Sequence, residues 1–167
     1  MRRWGEEAWH TLDYELKQQF GSRLYKISLN GGMTCPNRDG TIGTGGCIFC
    51  SAGGSGEFAA PAHLPVREQL EAGRELLKTK TEDGPYIAYF QAFTNTYGPE
   101  PVLRRLFEEA IEPEDVKVLS IATRPDCLPP AVLKLLEELN RKKPVWVELG
   151  LQTASDRTAE MVRSGYP

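Results

Sequence analysis

Four short segments of the chain carry the hydrophobic pattern of β-strands. In the first, Leu24, Lys26 and Ser28 alternate with Tyr25, Ile27 and Leu29, which is the two-residue period of an extended chain. The second, Y-I-A-Y-F-Q-A, is almost continuously apolar, as a strand buried on both faces should be. The pattern predicts strands over residues 24–29, 86–92, 116–122 and 145–151.

Between these strands the apolar positions recur at the spacing of amphipathic helices. The predicted helices cover residues 12–20, 65–78, 99–111 and 129–141, and a further helix begins after Ser155, which suits an N-cap. The residues expected on the buried sides of the three middle helices are Val66, Leu70, Leu76 and Leu77, then Val102, Leu103, Leu106, Phe107 and Ala110, then Val132, Leu133, Leu135, Leu136 and Leu139.

The order of elements is strand, loop and helix, repeated four times at a spacing near thirty residues. Such alternation predicts an α/β fold with a parallel sheet and helical crossovers. A length of 167 residues fits one domain, which we divide into a lead-in and helix over residues 1–22 and a core over residues 23–167. No G-x-G-x-x-G sequence opens a helix, so the pattern gives no support to dinucleotide binding.

Composition and charge narrow the classes of partner. A net charge of -3 provides no overall attraction to nucleic acid, and Arg141-Lys142-Lys143 is best explained as a solvated helix end. An RNA substrate would therefore need a local basic patch. No apolar run approaches membrane-spanning length, and M-R-R-W-G-E-E contains no apolar signal-peptide core. We therefore expect a cytoplasmic protein that does not bind membranes.

Three of the four cysteines lie close together, just after the first predicted strand. Cys47 and Cys50 form a C-x-x-C pair, and Cys35 precedes them across eleven residues that include four glycines. Thiolates are soft ligands that select zinc, copper(I) or iron–sulfur clusters. The loop begins where a strand ends, which is the face on which barrel-type α/β folds build their sites.

The number of cysteines favours an iron–sulfur cluster over the alternatives. A closed zinc site needs four ligands, and neither His63 nor Cys127 lies at zinc-finger spacing. Three cysteines without a local fourth suit a 4Fe–4S cluster with one iron left open. A zinc site and a redox-active thiol pair are the remaining interpretations.

At these residues the chain resembles the radical S-adenosylmethionine (SAM) superfamily. The eleven-then-two cysteine spacing is similar to the YhcC/YtqA-type branch, which is related to the catalytic subunit of Elongator. Phe49 matches the aromatic residue that the superfamily favours before the last cysteine. The segments Y-F-Q-A-F-T-N-T-Y-G-P, T-R-P-D-C-L and E-L-G-L-Q-T extend the resemblance from about Tyr14 to Gly165.

The resemblance implies a partial (β/α) TIM-like barrel with about four of the usual six β/α units present. We therefore expect the sequence to be a truncated N-terminal portion of a longer enzyme. The implied cofactors are a 4Fe–4S cluster and SAM, which is cleaved reductively to a 5′-deoxyadenosyl radical. The implied partners are a reductant such as flavodoxin or ferredoxin and an unknown substrate, for which kinship with Elongator makes RNA conceivable. The alternative function is a non-catalytic structural module that binds zinc or an iron–sulfur cluster.

The resemblance also assigns residues to the cofactors. Cys35, Cys47 and Cys50 would ligate the cluster, and Phe49 lies beside it. Gln91 stands in the loop that usually carries a Gly-Gly-Glu sequence for the SAM amino group, and its side chain or nearby backbone carbonyls would take that role. Gln152 matches a SAM-binding glutamine of the relatives. No catalytic residue is assigned.

Some other positions indicate a role through their own chemistry, and some depart from the pattern that the resemblance implies. Glu148 lies within an apolar strand, where an unpartnered carboxylate is costly, so we expect it to have a role in the SAM pocket. Ala122 replaces a glutamate of the Elongator-like relatives, and Ser164 replaces an arginine, for which Arg163 is a candidate substitute. Arg124 and Asp126 can pair and fix a turn, or contact a ligand. Cys127 has no metal spacing, so we expect a buried structural thiol, with a substrate-side role as the alternative.

Overall fold

Four parallel strands form one sheet in the order β1-β2-β3-β4, so every strand neighbours the next one in the sequence. A computed structural model describes residues 4–5, 7–81 and 84–166. The strands are β1 (Tyr25–Leu29), β2 (Tyr86–Phe90), β3 (Val116–Thr123) and β4 (Val145–Leu149). The helices are α1 (Leu12–Phe20), α2 (Val66–Leu77), α3 (Glu100–Ile111), α4 (Pro130–Asn140) and α5 (Asp156–Val162), and a short 3₁₀ turn spans Pro125–Cys127. The predicted α/β fold with four β/α units of a partial barrel is confirmed.

The crossover helices α2, α3 and α4 cover one face of the sheet and enclose the main core. Phe90 of β2 packs edge-on against Phe107 of α3, with ring centroids 5.1 Å apart. Gly73 lets α2 approach β1 closely, since a Cβ atom there would lie 2.2 Å from Ile27 Cγ2. Inward-facing residues of all four strands contribute to this core, as the parallel arrangement requires.

The opposite face of the sheet is concave and changes character along the strands. At the amino ends of the strands, Leu16 of α1 packs with Leu24, Ile87 and Val118 in a second apolar cluster, so α1 closes this end. Lys26 of β1, which is in register with Ile87, contacts Glu148 of β4 at 2.6 Å. A flat sheet would separate these outer strands by ~14 Å, so a contact between their side chains favours a curved sheet. The curvature is that of a barrel wall.

Most predicted elements begin and end within two residues of their observed positions. The expectation that Leu76, Val102 and Leu133 lie on buried helix faces is wrong, because all three are exposed, Leu76 by 78%. Successive residues turn about 100° around a helix, so Leu76 cannot share the sheet-facing side that α2 presents through Val66 and Leu70. The boundary proposed between residues 22 and 23 stays a prediction. No helix in the described ranges combines the length and the apolar character needed to cross a membrane.

Strand β4 offers an open edge for self-association. Within the described residues it pairs with β3 alone, and Val147 and Leu151 are exposed beside it. Open apolar edges pair with other chains, and a lysine on the edge opposes such pairing. We expect the 167-residue chain to self-associate and Val147→Lys to shift it toward the monomer, as measured by size-exclusion chromatography with light scattering.

The matched control for this edge is Leu133→Lys, which places a lysine at an exposed leucine of α4. It should leave the size distribution unchanged. Equal behaviour of the two lysine variants would show that β4 is not the contact.

Candidate functional site

A cavity of about 360 Å³ lies at the carboxyl ends of the strands, on the concave side of the sheet. Its lining comes from the cysteine loop after β1, the loops after β2 and β3, and the end of β4. The residues that line it are Cys35, Arg38, Gly46, Cys47, Phe49, Cys50, Gly54, Ser55, Tyr89, Gln91, Phe93, Thr94, Ala122, Thr123, Arg124, Glu148, Leu149, Gly150, Gln152 and Tyr166. All seven residues that the sequence assigned to cofactors therefore meet at one cavity.

The cysteine loop is built from short backbone turns that glycine permits. The amide nitrogen of Cys50 donates to the Cys47 carbonyl at 3.0 Å, and that of Gly46 donates to the Asn37 carbonyl at 2.7 Å. Gly46 has a φ of +70°, and a Cβ atom there would lie 2.8 Å from Arg38 Nε. Because Gly46 leaves this space, the Arg38 guanidinium folds back and donates to the carbonyls of Cys50 and Ser51.

The cysteines are free thiols, and two of the sulfurs face nitrogen donors. Asn37 Nδ2 lies 3.5 Å from Cys47 Sγ, and Arg124 Nη1 lies 4.0 Å from Cys35 Sγ. Arg124 also makes a two-pronged pair with Asp126, at 2.9 and 2.8 Å, so the predicted turn-fixing pair is present. Donors of this kind stabilise sulfur atoms that carry negative charge.

The segment after α5, residues 163–166, lies against the cysteine loop and is called here the C-terminal strap. The Arg163 carbonyl accepts from Asn37 Nδ2 at 2.5 Å, and the Ser164 carbonyl accepts from Arg124 Nη1 at 2.7 Å. Tyr166 donates its hydroxyl to the Gly150 carbonyl, and its ring lies under the Arg124 guanidinium, 4.6 Å from ring centroid to Cζ. The strap thereby joins the cysteine loop to the end of β4.

The four residues predicted to bind SAM or flank the cluster line the cavity in different ways. Phe49 is 52% exposed. The Gln91 amide oxygen accepts from Ser28 Oγ at 3.4 Å. Gln152 has a φ of +66°, and a Cβ atom at Gly150 would lie 2.6 Å from its amide nitrogen. Glycine at position 150 thus leaves room for the Gln152 side chain, and the assigned roles of these residues stay predictions.

Glu148 has the partners that its place in an apolar strand required. Its carboxylate accepts from Lys26 Nζ and from Ser120 Oγ, each at 2.6 Å. Burial opposes ionisation of Glu148, but these hydrogen bonds outweigh it and lower the pKa of the carboxyl. Burial and then the Glu148 charge raise the pKa of Tyr89, whose ring lies 3.9 Å from Lys26 Nζ, to about 12. These four side chains form a polar layer beneath the cavity.

The lowered pKa of Glu148 predicts a pH-dependent contribution to stability. A depressed carboxyl pKa stabilises the folded state above the ordinary value of 4.5, and this stabilisation is lost as the pH falls through the folded-state pKa. The variant Lys26→Met removes the ammonium group that lowers the pKa of Glu148, while burial still raises that pKa. We expect the free energy of unfolding to fall by at most about 1 kcal/mol near neutral pH, because the pair is partly exposed.

Urea unfolding from about pH 7 to about pH 4 measures this difference. The gap between wild type and Lys26→Met should narrow as the pH falls. Lys117→Met, which removes an exposed lysine from β3, is the matched control and should give a pH-independent gap. A constant gap for both variants would contradict the ion-pair interpretation.

The residues around the cavity that the sequence did not assign include Asn37, Arg38, Tyr89 and Tyr166. Asn37 and Arg38 lie between Cys35 and Cys47, and this position in the sequence could have indicated a place near the sulfurs. Ala122 lines the cavity but contributes only a methyl group, where the resemblance led us to expect a glutamate. Arg163, the candidate substitute for an arginine at position 164, ends α5 in a left-handed conformation and is not among the lining residues.

Cys127 lies apart from the other three cysteines. It is buried, it is not among the lining residues, and its carbonyl accepts from Thr96 Oγ1 at 2.5 Å. Burial, reinforced by the Asp126 charge, raises the pKa of the Cys127 thiol to about 11. A thiol with a raised pKa supplies little thiolate, which favours the structural role predicted for Cys127.

The donor set has the ligand chemistry that an iron–sulfur cluster takes. Across the part of the chain that the structure describes, no three His, Cys, Asp or Glu side chains are grouped to hold one metal ion. A 4Fe–4S cluster differs, because each cysteine binds a different iron and the sulfurs stand farther apart. Three free thiols on one cavity wall, with nitrogen donors toward two of them, have the chemistry such a cluster needs.

The fold is a partial β/α barrel, and three cysteines line a cavity at the carboxyl ends of its strands. The chain belongs to the radical SAM superfamily, whose family model matches residues 37–167. The chain is 50% identical to the uncharacterized protein YtqA of Bacillus subtilis over 161 residues, which cover 96% of the chain and 50% of YtqA. It is 41% identical to the protein YhcC of Escherichia coli K12 over 153 residues, which cover 91% of the chain and 48% of YhcC.

A third relative, an uncharacterized protein of Methanocaldococcus jannaschii, is 34% identical over 155 residues. These 155 residues are 90% of the chain and 46% of that relative. The chain thus spans about half the length of the curated relatives it matches. The predicted superfamily, and the resemblance to its YhcC/YtqA-type branch, are confirmed.

Proposed function

We propose that the chain binds a 4Fe–4S cluster through Cys35, Cys47 and Cys50 and binds SAM in the adjoining cavity. The observation that carries the proposal is that three free thiols and all four candidate SAM-side residues line one cavity. Together, a cluster and SAM supply a 5′-deoxyadenosyl radical by reductive cleavage of the sulfonium. Membership in the radical SAM superfamily supports the same assignment.

In this proposal the cysteine loop provides ligands and compensates their charge. Cys35, Cys47 and Cys50 supply three thiolates, which leaves one coordination position of the cluster for SAM. Arg38 and Arg124 line the same cavity and place two cations near the anionic centre. Positive charge in a partly enclosed site favours both the thiolates and an added electron.

The residues at the strand ends orient SAM. Gln91 and Gln152 present amide groups that can donate or accept, which suits the carboxylate and amino groups of a methionine moiety. The Glu148 carboxylate is already ionised and held by Lys26, so it can accept from hydroxyl or amino groups without moving. Phe49 provides an apolar surface beside the cysteines, and the strap covers one side of the cavity, which limits access of water to the site.

The remaining parts of the proposal follow from the family. A flavodoxin or a ferredoxin would serve as the reductant in a reducing compartment such as the cytoplasm. An RNA base is the substrate class that kinship with the Elongator catalytic subunit suggests. The substrate and the outcome of the reaction are properties of a whole protein. The relative YtqA is about twice as long as this chain.

Anaerobic reconstitution with iron and sulfide tests the proposal. We expect about four iron and four sulfide per chain, the visible absorption of a 4Fe–4S cluster, and SAM binding that requires the cluster. Protein purified with zinc and without sulfide, and unable to exchange it for a cluster, would support the metal-binding module instead. Chain lacking any bound metal after reconstitution would refute both assignments.

A further inference from the structure

We propose that Asn37 and Arg124 are positioning residues that couple the cysteine ligands to the C-terminal strap. Each side chain directs one N–H group toward a cysteine sulfur and another to a strap carbonyl. The inference rests on the proposed function, because it concerns the cluster that these cysteines would hold. It predicts that the strap and the reduction potential of the cluster influence each other.

Asn37 has one donor for each of its two partners. Its Nδ2 atom lies 3.5 Å from Cys47 Sγ and 2.5 Å from the Arg163 carbonyl, and an amide NH₂ group carries two hydrogens. The side chain is 6% exposed, so water cannot easily replace either partner. A Cβ atom at Gly43 would lie 2.7 Å from Asn37 Oδ1, which shows that the loop is built closely around this amide.

Arg124 makes the same connection from the other side of the cysteine loop. Its Nε and Nη2 atoms bind Asp126 and fix the plane of the guanidinium. Nη1 keeps two hydrogens, and it lies 2.7 Å from the Ser164 carbonyl and 4.0 Å from Cys35 Sγ. The side chain is 10% exposed, so these contacts lie in a medium where charge interactions are stronger than in water.

Through Asn37 and Arg124, the charge on the cysteine sulfurs affects how strongly the strap is held. Hydrogen bonds to the sulfurs and nearby positive charge stabilise the more negative, reduced form of an iron–sulfur cluster. More negative charge on the sulfurs in turn strengthens the hold on Asn37 and Arg124, and both residues hold the strap. The coupling is reciprocal. Stronger binding of the strap to Asn37 and Arg124 raises the reduction potential of the cluster, and reduction of the cluster strengthens the binding of the strap.

The strap ends beside the proposed SAM side of the cavity, so the coupling has a functional direction. Tyr166 binds the Gly150 carbonyl, two residues before Gln152. Ile48, between two of the cysteines, donates its amide to the Val162 carbonyl at 3.1 Å. A change in charge at the cluster would therefore reach the end of β4 through the strap.

The test uses reconstituted protein and three variants that remove or retain the donors. Arg124→Met removes the guanidinium, Arg124→Lys keeps the charge without the fork, and Asn37→Leu removes the amide. Iron and sulfide content are measured first, then the midpoint potential by spectroelectrochemistry. Hydrogen exchange of residues 163–166 is measured in apo, oxidised and reduced wild type. Arg74→Met is the matched control, because Arg74 makes an equivalent two-pronged pair with Asp115 outside the cavity.

We expect Arg124→Met and Asn37→Leu to keep the cluster but to shift its potential to more negative values. Arg124→Lys should recover part of the shift, and Arg74→Met should show none. Strap exchange should slow about tenfold on reduction of wild type, the effect of one strengthened charge-assisted hydrogen bond. It should quicken in both uncoupled variants.

Two results separate failure of this inference from failure of the proposed function. Wild type that holds no cluster refutes the proposed function, and the inference falls with it. Wild type that holds a cluster, with unchanged potential in both variants or with strap exchange independent of redox state, overturns the inference alone. If Arg124→Met loses its cluster, the wild-type exchange data and Asn37→Leu decide the question.

Discussion

Replacement of Cys35, Cys47 or Cys50 by alanine should abolish formation of the 4Fe–4S cluster. The three cysteines line one cavity, and the side chains that face two of the sulfurs are nitrogen donors, which cannot replace a thiolate on iron. The loss should be nearly complete for each single variant. Iron and sulfide analysis after anaerobic reconstitution, with the visible spectrum, measures it.

Cys127→Ala is the matched control, since it removes the fourth thiol of the same chain. Cys127 is buried outside the cavity lining, so this variant should keep full cluster content. Because the thiol packs in the interior, its loss should cost stability instead, about 1 kcal/mol. Cluster loss in Cys127→Ala as severe as in Cys47→Ala would show that the assignment of three ligands is wrong.

The order of strands and helices could be predicted because each is specified by its own local pattern. A two-residue period around Leu24–Leu29 and apolar runs later in the chain were sufficient for four strands, and alternation with helices was sufficient for a parallel sheet. Strand ends then determine where the loops lie. For this reason Cys35 and Gln152, which are far apart in sequence, could be expected on one edge of the sheet.

Contacts between distant side chains carried no such local signal. An apolar strand containing Glu148 predicted that the carboxylate has a partner, but Lys26 is 122 residues away and its alternating pattern fits any half-exposed strand. The bond from Asn37 to the Arg163 carbonyl spans 126 residues and depends on where α5 ends. Such pairings follow from sheet curvature and helix placement, which are set by the packing of the whole core.

The prediction of which helix residues are buried was wrong at Leu76 for a different physical reason. Hydrophobicity alone assigned Leu76 to the buried side of α2, yet Gly73 is the residue whose backbone lies close to Ile27. A glycine adds nothing to an apolar stripe, so a pattern count gives it no weight. The pattern therefore omitted a residue at which α2 approaches the sheet closely.

The C-terminal strap bears on the expectation that an arginine is missing at position 164. The resemblance led us to expect an arginine at the position of Ser164. Here the Ser164 carbonyl accepts from Arg124. Arg124 belongs to the T-R-P-D-C-L segment after β3, so a cation is supplied to this region from the strand end. We propose that Arg124 supplies the cationic role that the resemblance assigns to position 164.

Gln152→Ala and Glu148→Gln should weaken SAM binding without reducing cluster content. Both side chains line the cavity at the end of β4, and Gly150 leaves space for the Gln152 amide. Loss of a hydrogen bond to a charged ligand costs about 1.5–3 kcal/mol, so we expect affinity to fall about tenfold to a hundredfold for Gln152→Ala. Glu148→Gln should have a smaller effect, because the amide keeps the shape and one acceptor.

Isothermal titration of SAM into reconstituted protein measures both affinities, and iron and sulfide analysis confirms equal cluster content. Thr153→Ala is the matched control, because Thr153 lies in the same loop, outside the cavity lining, and accepts from the Ser155 amide at 3.1 Å. A loss of affinity in Thr153→Ala equal to that in Gln152→Ala would indicate a disturbed loop. Unchanged affinity in both Gln152→Ala and Glu148→Gln would remove these residues from the SAM site and leave Gln91 and the backbone carbonyls of its loop as the remaining candidates.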